Sequence, residues 1–522
     1  MDLSSLPTDD NLDDKKRAAV LLSLQEIVQK QKENVKVMDI CFNKCVSKIG
    51  PKLSSSEQKC IWDCANSYFY TNVFLNQRLE QMTKILKSNS KKILVLDRNP
   101  YYGGETASLN LTNLYNTFKP KENIPSKYGE NRHWNVDLIP KFILVGGNLV
   151  KILKKTRVTN YLEWLVVEGS YVYQHQKKGF LTSEKFIHKV PATDMEALVS
   201  PLLSLMEKNR CKNFYQYVSE WDANKRNTWD NLDPYKLTML EIYKHFNLCQ
   251  LTIDFLGHAV ALYLNDDYLK QPAYLTLERI KLYMQSISAF GKSPFIYPLY
   301  GLGGIPEGFS RMCAINGGTF MLNKNVVDFV FDDDNKVCGI KSSDGEIAYC
   351  DKVICDPSYV MHLKNKIKKI GQVIRCICIL SNPIPETNQT NSCQIIIPQN
   401  QLNRKSDIYI NLVSFQHGVT LKGKYIAIVS ATVETNNPIK EIEKPLELLG
   451  TIEEKFVKIS DLYVSTSKKP ADNIFVTSSY DATSHFETAT NDLLQIWENL
   501  WGQKLNFDDL NTNADGEAPD FN

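Results

Sequence analysis

The 522-residue chain has a composition that excludes several classes of protein. Hydrophobic residues make up 43% of it and charged residues 23%, which is ordinary for a globular protein of two or three domains. The net charge of +2 gives no electrostatic reason to expect a nucleic-acid partner. The longest apolar run, residues 251–264, includes Asp254 and His258 and is too short to span a membrane. We therefore expect a globular chain that contacts membranes only transiently.

Four cysteines near the N-terminus stand in two Cys-x3-Cys pairs, Cys41 with Cys45 and Cys60 with Cys64. A spacing of four residues puts both thiols of a pair on one face of a helix. Apolar residues around each pair recur in steps of three and four, which indicates two amphipathic helices. In an antiparallel hairpin, Cys41 faces Cys64 and Cys45 faces Cys60. That geometry suits two disulfides, but four such thiols could also bind zinc or stay unlinked in a reducing compartment.

The segment from about residue 15 to 88 resembles the small TIM chaperones of the mitochondrial intermembrane space, whose signature is the twin Cys-x3-Cys motif. The resemblance implies an α-helical hairpin, an oxidising compartment and small TIM-type partners for this part of the chain. In such a compartment we expect the disulfides Cys41–Cys64 and Cys45–Cys60, whereas in cytosol we expect reduced thiols.

The periodicity changes after a polar linker at residues 87–92. Ile93–Leu96 reads as a short buried strand ending in Asp97, which is typical of the second strand of a dinucleotide-binding βαβ unit. The phosphate-binding Gly-x-Gly-x-x-Gly motif is expected about 20 residues upstream, but the second cysteine helix occupies that interval. The later glycine cluster, Gly301–Gly304, lacks the last glycine of the motif. The sequence therefore predicts no bound cofactor.

Between residues 183 and 290 the spacing of apolar residues is helical, and beyond Cys350 it becomes that of strands. The amphipathic helical segments are Met195–Met206, Phe214–Trp221, Met239–Phe246, Ile253–Leu264 and Leu275–Phe290. The predicted strands are Val353–Cys355, Val373–Leu380, Cys393–Ile397, Ile408–Phe415 and Tyr425–Val433. The architecture is therefore a mixed α/β domain with a helical insert, which either packs a core of its own or offers a groove to a lipid.

Several long stretches point to one family. They are Asp97–Glu105 (DRNPYYGGE), Trp134–Phe142 (WNVDLIPKF), Ser293–Gly303 (SPFIYPLYGLG), Cys393–Asn400 (CQIIIPQN) and Tyr480–Glu487 (YDATSHFE). With them the chain resembles the Rab GDP-dissociation inhibitors from about residue 91 to 508. The resemblance implies a flavin-oxidase-like fold that keeps no flavin. It also implies a regulator that binds GDP-loaded prenylated Rab GTPases, shields their geranylgeranyl tails and shuttles them between membranes and cytosol.

The resemblances together imply the layout and location of the chain. We expect a polar tail at 1–14, the hairpin at 15–88, a large α/β domain at 91–182 and 291–508, a prenyl-binding helical insert at 183–290, and a polar tail at 509–522. A Rab inhibitor has no catalytic residues, cofactor or metal, and acts in vesicle-mediated transport in the cytoplasm. The hairpin points instead to the mitochondrial intermembrane space, as a chaperone for protein import.

The family's Rab-binding residues are carried over motif by motif. Tyr102 matches the tyrosine of Asn-Pro-Tyr-Tyr, and Arg311 matches the arginine of Gly-Phe-Ser-Arg. Thr319 and Met321 stand in Gly-Gly-Thr-Phe-Met. An amphipathic tyrosine, a bidentate arginine and a pliable methionine are suitable interface anchors. One position departs, because the family has a glutamate after Gly-Leu-Gly where this chain has Gly304, so a charge partner for a basic Rab residue is lost.

The family's first βα unit has no counterpart in the sequence. In a doubly wound sheet that first strand is central, so Ile93–Leu96 is expected to keep an unpaired edge. Three interpretations remain open: a Rab inhibitor with a dispensable hairpin, an intermembrane-space chaperone with a passenger, and a fused or mis-joined gene model whose inhibitor half is impaired. A flavin-dependent oxidoreductase is a further class, which the missing glycine motif disfavours.

Overall fold

The computed structural model describes residues 45, 58–60, 91–175, 187–191, 204–467 and 469–507. Two compact units divide the chain, Met1–Lys92 and Ile93–Asn522. In the first unit Cys45 and residues 58–60 are helical, and a disulfide joins Cys45 to Cys60, with their Cα atoms 5.8 Å apart. The other expected disulfide, Cys41–Cys64, lies outside the described residues.

The second unit is a mixed α/β structure. Its described α-helices are α1 Leu111–Phe118, α2 Asn148–Lys155, α3 Leu205–Glu220, α4 Met239–His245, α5 Gln250–Asp254, α6 Tyr274–Phe290, α7 Gly304–Ile315, α8 Pro438–Glu441, α9 Glu443–Glu447 and α10 Glu487–Trp501. Its described strands are β1 Leu94–Leu96, β2 Ser108–Leu109, β3 Val136–Asp137, β4 Ile143–Leu144, β5 Trp164–Val166, β6 Gly169–Tyr173, β7 Ile187–Lys189, β8 Phe295–Pro298, β9 Thr319–Met321, β10 Val326–Phe331, β11 Val337–Ser342, β12 Ile347–Tyr349, β13 Val353–Cys355, β14 Ile367–Leu380, β15 Cys393–Ile397, β16 Ile408–Ser414, β17 Tyr425–Thr432, β18 Ile452–Ser465 and β19 Ile474–Val476.

The largest sheet has seven strands in the order β18-β14-β17-β16-β15-β6-β7. Its pairs are antiparallel except for β15 with β6, which run parallel. Alternate residues of a strand face opposite sides, so Ile377 and Ile379 join the core shared with the helical insert, while Cys376 and Cys378 join a second core. Because both faces are covered, the central strands are apolar at nearly every position.

Two shorter parallel sheets include the strand expected at Ile93–Leu96, but the prediction that this strand is buried is wrong, because Ile93 and Leu94 are 52% and 40% exposed. In one sheet β1 pairs with β9, and in the other β13 pairs with β19. Arg98, just beyond β1, donates to the Ser358 hydroxyl at 2.8 Å and lies 3.8 Å from the centre of the Tyr359 ring, in the segment that follows β13. No described strand pairs with the second edge of β1 or of β13. Within the described residues, β1 therefore keeps the unpaired edge that the sequence predicts.

The helical insert contains α3 to α6 around an aromatic core. The Phe214 ring packs edge-on against Tyr243 and Phe246, each with centroids 5.5 Å away. Residues 192–203, which hold most of the first predicted helix, lie outside the described residues. The helical segment predicted at Ile253–Leu264 is helical only as far as Val260, because α5 ends at Asp254 and the chain continues as a π-helix over Phe255–Val260. Across the described ranges, no helix has both the length and the apolar character needed to cross a membrane.

His258, in the π-helix, joins the insert to the seven-stranded sheet. Its Nδ1 lies 2.7 Å from a carboxylate oxygen of Asp407, directly before β16, and its Nε2 lies 3.2 Å from Asp266. Burial disfavours the charged imidazolium, but the hydrogen bonds and charges of the two carboxylates outweigh it and raise the pKa of His258 to about 10. A buried ion pair therefore ties the insert to the sheet.

Candidate functional site

The residues expected to contact a Rab lie around helix α7 and strand β9. The Tyr102 ring packs edge-on against Phe320 of β9, with the ring centroids 5.4 Å apart. The Arg311 guanidinium of α7 lies 4.9 Å from the centre of the Tyr161 ring, which is 40% exposed. We call the surface formed by these side chains and the exposed side chains of β9 the α7 surface; its residues are Tyr102, Tyr161, Arg311, Thr319 and Met321.

Strand geometry presents Thr319 and Met321 on the same side of β9. Side chains alternate along a strand, so these two residues are exposed while Phe320 between them is partly buried. The loop that carries Tyr102 approaches α7 through Gly103, which has a φ of +98°. A Cβ at Gly103 would lie 2.8 Å from the Pro306 ring, so glycine permits the close approach of loop and helix.

Tyr161 is a site residue that the motifs did not predict. It ends a short 3-10 segment, Val158–Tyr161, and no motif includes it. Only the cation–π contact with Arg311 assigns it to the surface. The guanidinium lies over the ring face, and a stacked arginine can still use its N–H donors toward a partner.

Gly304, where the family has glutamate, is the first residue of α7. A Cβ there would lie 2.9 Å from Leu162 Cδ2, the end of a flexible side chain, so a larger residue requires a small shift of Leu162. The N-terminus of a helix favours a carboxylate. Glu307, exposed in the same first turn, supplies one. The first turn of α7 therefore carries one carboxylate, that of Glu307.

A buried carboxylate holds the glycine loop that leads into α7. Asp137 accepts hydrogen bonds from the Ser108 hydroxyl at 2.5 Å, the Leu302 amide at 3.0 Å and the Tyr297 hydroxyl. The Ser108 oxygen accepts a further bond from the Gly303 amide at 2.9 Å. Burial raises the pKa of Asp137 to about 6, although these bonds favour its ionised form. The sequence offered no direct signal for this role, because the contacts join segments far apart in the chain.

The same bonds argue against phosphate binding at Gly301–Gly304. The amides of Leu302 and Gly303 already donate to Asp137 and Ser108, and the carboxylate faces the loop. A phosphate would have to break both bonds and approach a like charge. Elsewhere in the described ranges, no group of three or more His, Cys, Asp or Glu side chains is arranged to hold a metal ion.

The helical insert, expected to hold the prenyl tail, is tightly packed where it is described. Tyr243, Tyr268 and Tyr283 are buried in its core. At the start of α3, Leu205 and Met206 are 81% and 70% exposed. The insert therefore combines a closed aromatic core with an exposed apolar end.

The chain matches two families. Residues 76–512 match the family described as GDP dissociation inhibitor, a start earlier than the position near 91 that the motifs indicated. Residues 21–81 match the Tim10/DDP family zinc finger, so the two matches overlap at 76–81. In the structure the sulfurs of Cys45 and Cys60 form a disulfide, so neither is a free thiolate for zinc.

Curated relatives and solved structures agree with the larger match. Rab GDP dissociation inhibitor beta of Rattus norvegicus is 51% identical over 430 residues, which cover 82% of this chain and 94% of that protein. The crystal structure of a Rab GDI from Plasmodium falciparum is 98% identical over 81% of this chain and 96% of its own, with a TM-score of 0.78. An oxidoreductase from Methanosarcina mazei, 14% identical over 80% of this chain and 96% of its own, reaches a TM-score of 0.50 and shares the fold alone.

These matches establish the fold class expected from the sequence, a flavin-oxidase-like mixed α/β fold, and they connect it to inhibitors rather than to catalysts. The interpretation as a flavin-dependent oxidoreductase is therefore set aside. The chain belongs to the GDP dissociation inhibitor family.

Proposed function

We propose that this protein binds GDP-loaded, prenylated Rab GTPases and carries them between membranes and cytosol. The observation that supports this most strongly is the α7 surface, where Arg311 packs on Tyr161 and Tyr102 packs beside the two exposed residues of β9. All four positions expected from the family motifs lie on α7, on β9 or against one of them. Aromatic, arginine and methionine side chains are those most suited to anchor a protein partner.

The proposed mechanism is stoichiometric binding without chemistry. GDP-bound and GTP-bound states of a small GTPase differ in the order of their switch segments. A rigid surface fitted to the GDP state gains selectivity from that difference alone, because a ligand shifts an equilibrium only by its differential affinity. The restrained Arg311 and the short strand β9 provide such a surface.

Release from the membrane also requires shelter for the prenyl tail, which we assign to the helical insert. Each methylene of a lipid chain that leaves water contributes about 0.8 kcal/mol. The prenyl-binding site must therefore bury as many methylenes as the bilayer does. The exposed apolar residues Leu205 and Met206 at the start of α3 support this assignment. Contact with the membrane itself would then be transient.

The test is extraction of prenylated Rab from liposomes by the full-length protein. We expect GDP-loaded Rab to move into the supernatant in proportion to added protein, with saturation at one to one. GTP-loaded Rab should remain on the liposomes. Equal extraction of both forms would contradict the proposal.

We place this activity in the cytoplasm, with the twin-cysteine segment as a dispensable extension. A second candidate function for that segment, a TIM-type chaperone of the mitochondrial intermembrane space, is favoured by the Cys45–Cys60 disulfide and by the match at residues 21–81. Peptide mapping of the native protein without reductant separates the two. Both disulfides together with co-fractionation with mitochondria would favour the chaperone, and free thiols would favour the cytoplasm.

The remaining alternative is a mis-joined gene model. Sequencing the transcript across residues 80–100 tests it directly, because a genuine fusion gives one continuous message through that junction. A message that lacks the junction would remove the twin-cysteine segment from the protein.

A further inference from the structure

Tyr300 combines two features that do not serve folding. Its side chain is 64% exposed, and its backbone is left-handed with a φ of +66°. Among the described residues it is the only aromatic residue with a positive φ. This conformation costs a residue with a Cβ about 1–2 kcal/mol, and an exposed ring recovers little of that cost through burial. Glycine or asparagine at this position would suit the fold better.

The surrounding loops hold Tyr300 in this conformation. The Tyr300 amide donates to the His417 carbonyl at 2.7 Å. The ring lies on Gly418, where an added Cβ would come within 2.6 Å of it. The Asn135 side chain donates to the Gly418 carbonyl at 3.0 Å, and the buried His417 ring packs edge-on against Tyr297. The backbone of Tyr300 is therefore held by these loops, and its exposed ring rests on Gly418.

Tyr300 lies beside the α7 surface. The neighbouring Leu299 amide donates to the Glu163 carbonyl at 2.8 Å, which aligns this segment with residues 161–163. That short stretch also supplies Tyr161, the ring beneath Arg311. Residues 161–163 thus contact Arg311 through the Tyr161 ring and contact the residue before Tyr300 through the Glu163 carbonyl.

We propose that Tyr300 is a preformed anchor that inserts its ring into the surface of the folded GTPase domain of the Rab. The inference rests on the proposed function and adds a contact residue to it. Strained residues persist where the surrounding structure enforces them and cluster at binding sites. A ring that is already ordered loses little side-chain entropy on binding, so its contact area contributes to affinity almost in full.

The test is Tyr300→Gly in the full-length protein. The substitution removes the ring and relieves the left-handed strain, so we expect the melting temperature to stay equal or rise while the Kd for GDP-loaded prenylated Rab weakens at least about tenfold. The matched control is Tyr349→Ala, at an 80% exposed tyrosine of β12, which should change the Kd less than twofold. Unchanged Rab affinity in Tyr300→Gly, or affinity and melting temperature lost together, would overturn the proposal.

Gly418→Ala adds a second test through the contact beneath the ring. Its Cβ would displace the Tyr300 ring, so it should weaken Rab binding in the wild-type background and have a clearly smaller effect when Tyr300→Gly is also present. Equal effects in both backgrounds would contradict the anchor. If the wild-type chain itself fails to bind GDP-loaded Rab, the proposed function fails, which is distinct from failure of the anchor alone.

Discussion

The seven-stranded sheet and the two short parallel sheets of the same unit differ in how completely their strands are covered. Ile395, in the middle of β15, is fully buried, whereas Ile354, in the middle of β13, is 57% exposed. Both are β-branched residues in strands, so propensity does not distinguish them. The difference lies in what packs on each face: Ile395 belongs to the second core of the large sheet, whereas Ile354 points away from the small core that Val353 and Cys355 contact. In addition, β15 is paired on both edges, while β1 and β13 each have one described partner.

The well-covered large sheet stabilises the fold, whereas the less covered short sheets carry the α7 surface. The large sheet anchors the helical insert through His258 and Asp407. The α7 surface depends instead on β9, which pairs only with β1 among the described strands. The residues that we propose bind the Rab thus stand on the less covered elements of the unit.

The largest expected effect lies where the insert meets the large sheet. His258→Gln removes a charge that two carboxylates require, and we expect it to lower the free energy of unfolding by about 3–5 kcal/mol. The exposed charged contact between the short sheets provides the comparison, since Arg98→Ala should cost less than about 1 kcal/mol. Chemical denaturation of both variants measures this, and similar losses would remove the distinction between the two regions.

The pH dependence of stability tests whether His258 is charged where the insert meets the large sheet. A histidine with a higher pKa in the folded state stabilises fully below its unfolded pKa near 6.5, and this stabilisation is lost as the pH rises to about 10. The charged groups that face His258 are Asp266 and Asp407. We expect the free energy of unfolding to fall by up to about 1.4 kcal/mol per pH unit in that window, and less steeply in His258→Gln. Identical slopes would show that His258 is not charged in the fold.

Matched isoleucines compare the sheets directly. Ile395→Ala should lower the free energy of unfolding by about 2–5 kcal/mol because it opens a cavity in a closed core. Ile354→Ala, at a half-exposed position, should cost less than about 1 kcal/mol. A large decrease in the free energy of unfolding for Ile354→Ala would mean that β13 is buried to the same extent as β15.

The next effect concerns binding at the α7 surface. Arg311→Ala should weaken affinity for GDP-loaded Rab by about 1–3 kcal/mol, because it removes charge-assisted hydrogen bonds to the partner. Arg132→Ala is the control, since this arginine is 75% exposed and pairs only with Glu130. Titration calorimetry should show a change for Arg311 alone, and equal changes for both would point to a general effect of net charge.

Gly304→Glu tests whether the departure from the family matters. The new carboxylate should tighten Rab binding by less than the Arg311 effect, because Glu307 already lies in the same turn and Leu162 must shift. Gly304→Ala separates the steric effect from the charge. No gain for Gly304→Glu over Gly304→Ala would show that the glutamate is fully compensated.

The smallest effect is expected for the disulfide of the first unit. Cys45→Ser should leave the affinity for GDP-loaded Rab within twofold of wild type, because the described ring contacts of the α7 surface, Arg311 with Tyr161 and Tyr102 with Phe320, join residues of the second unit. A Rab affinity that depends on Cys45 would show that the twin-cysteine segment is not dispensable.

Much of the fold could be predicted where burial is continuous along a strand. The predicted strand at Val373–Leu380 is confirmed as the second half of β14. Its first half was missed because two consecutive lysines, Lys368 and Lys369, break the alternation of apolar and polar residues at the exposed end of the strand. The π-helix was missed for a different reason, since all six of its residues are buried and their spacing carries no polar face that would distinguish a π-helix from an α-helix.

The candidate site could be predicted only as far as family motifs extend. Tyr102 and Arg311 stand in quoted motifs, and the structure places them beside β9 and on α7. Tyr161 stands in none of the quoted motifs. The role of Asp137 depends on its hydrogen bond from the Leu302 amide, more than 160 residues away in sequence. The positive φ of Tyr300 has no signature in composition or periodicity.

We propose that one surface, around α7, recognises the GDP state of a Rab. Hydrogen exchange of the full-length protein, measured with and without prenylated Rab, tests it most directly. We predict slower exchange at residues 300–321 and 158–163 with GDP-loaded Rab, no change at β10 to β12, and no slowing with GTP-loaded Rab. Protection that avoids residues 300–321, or that is equal for the two nucleotide states, would contradict the account.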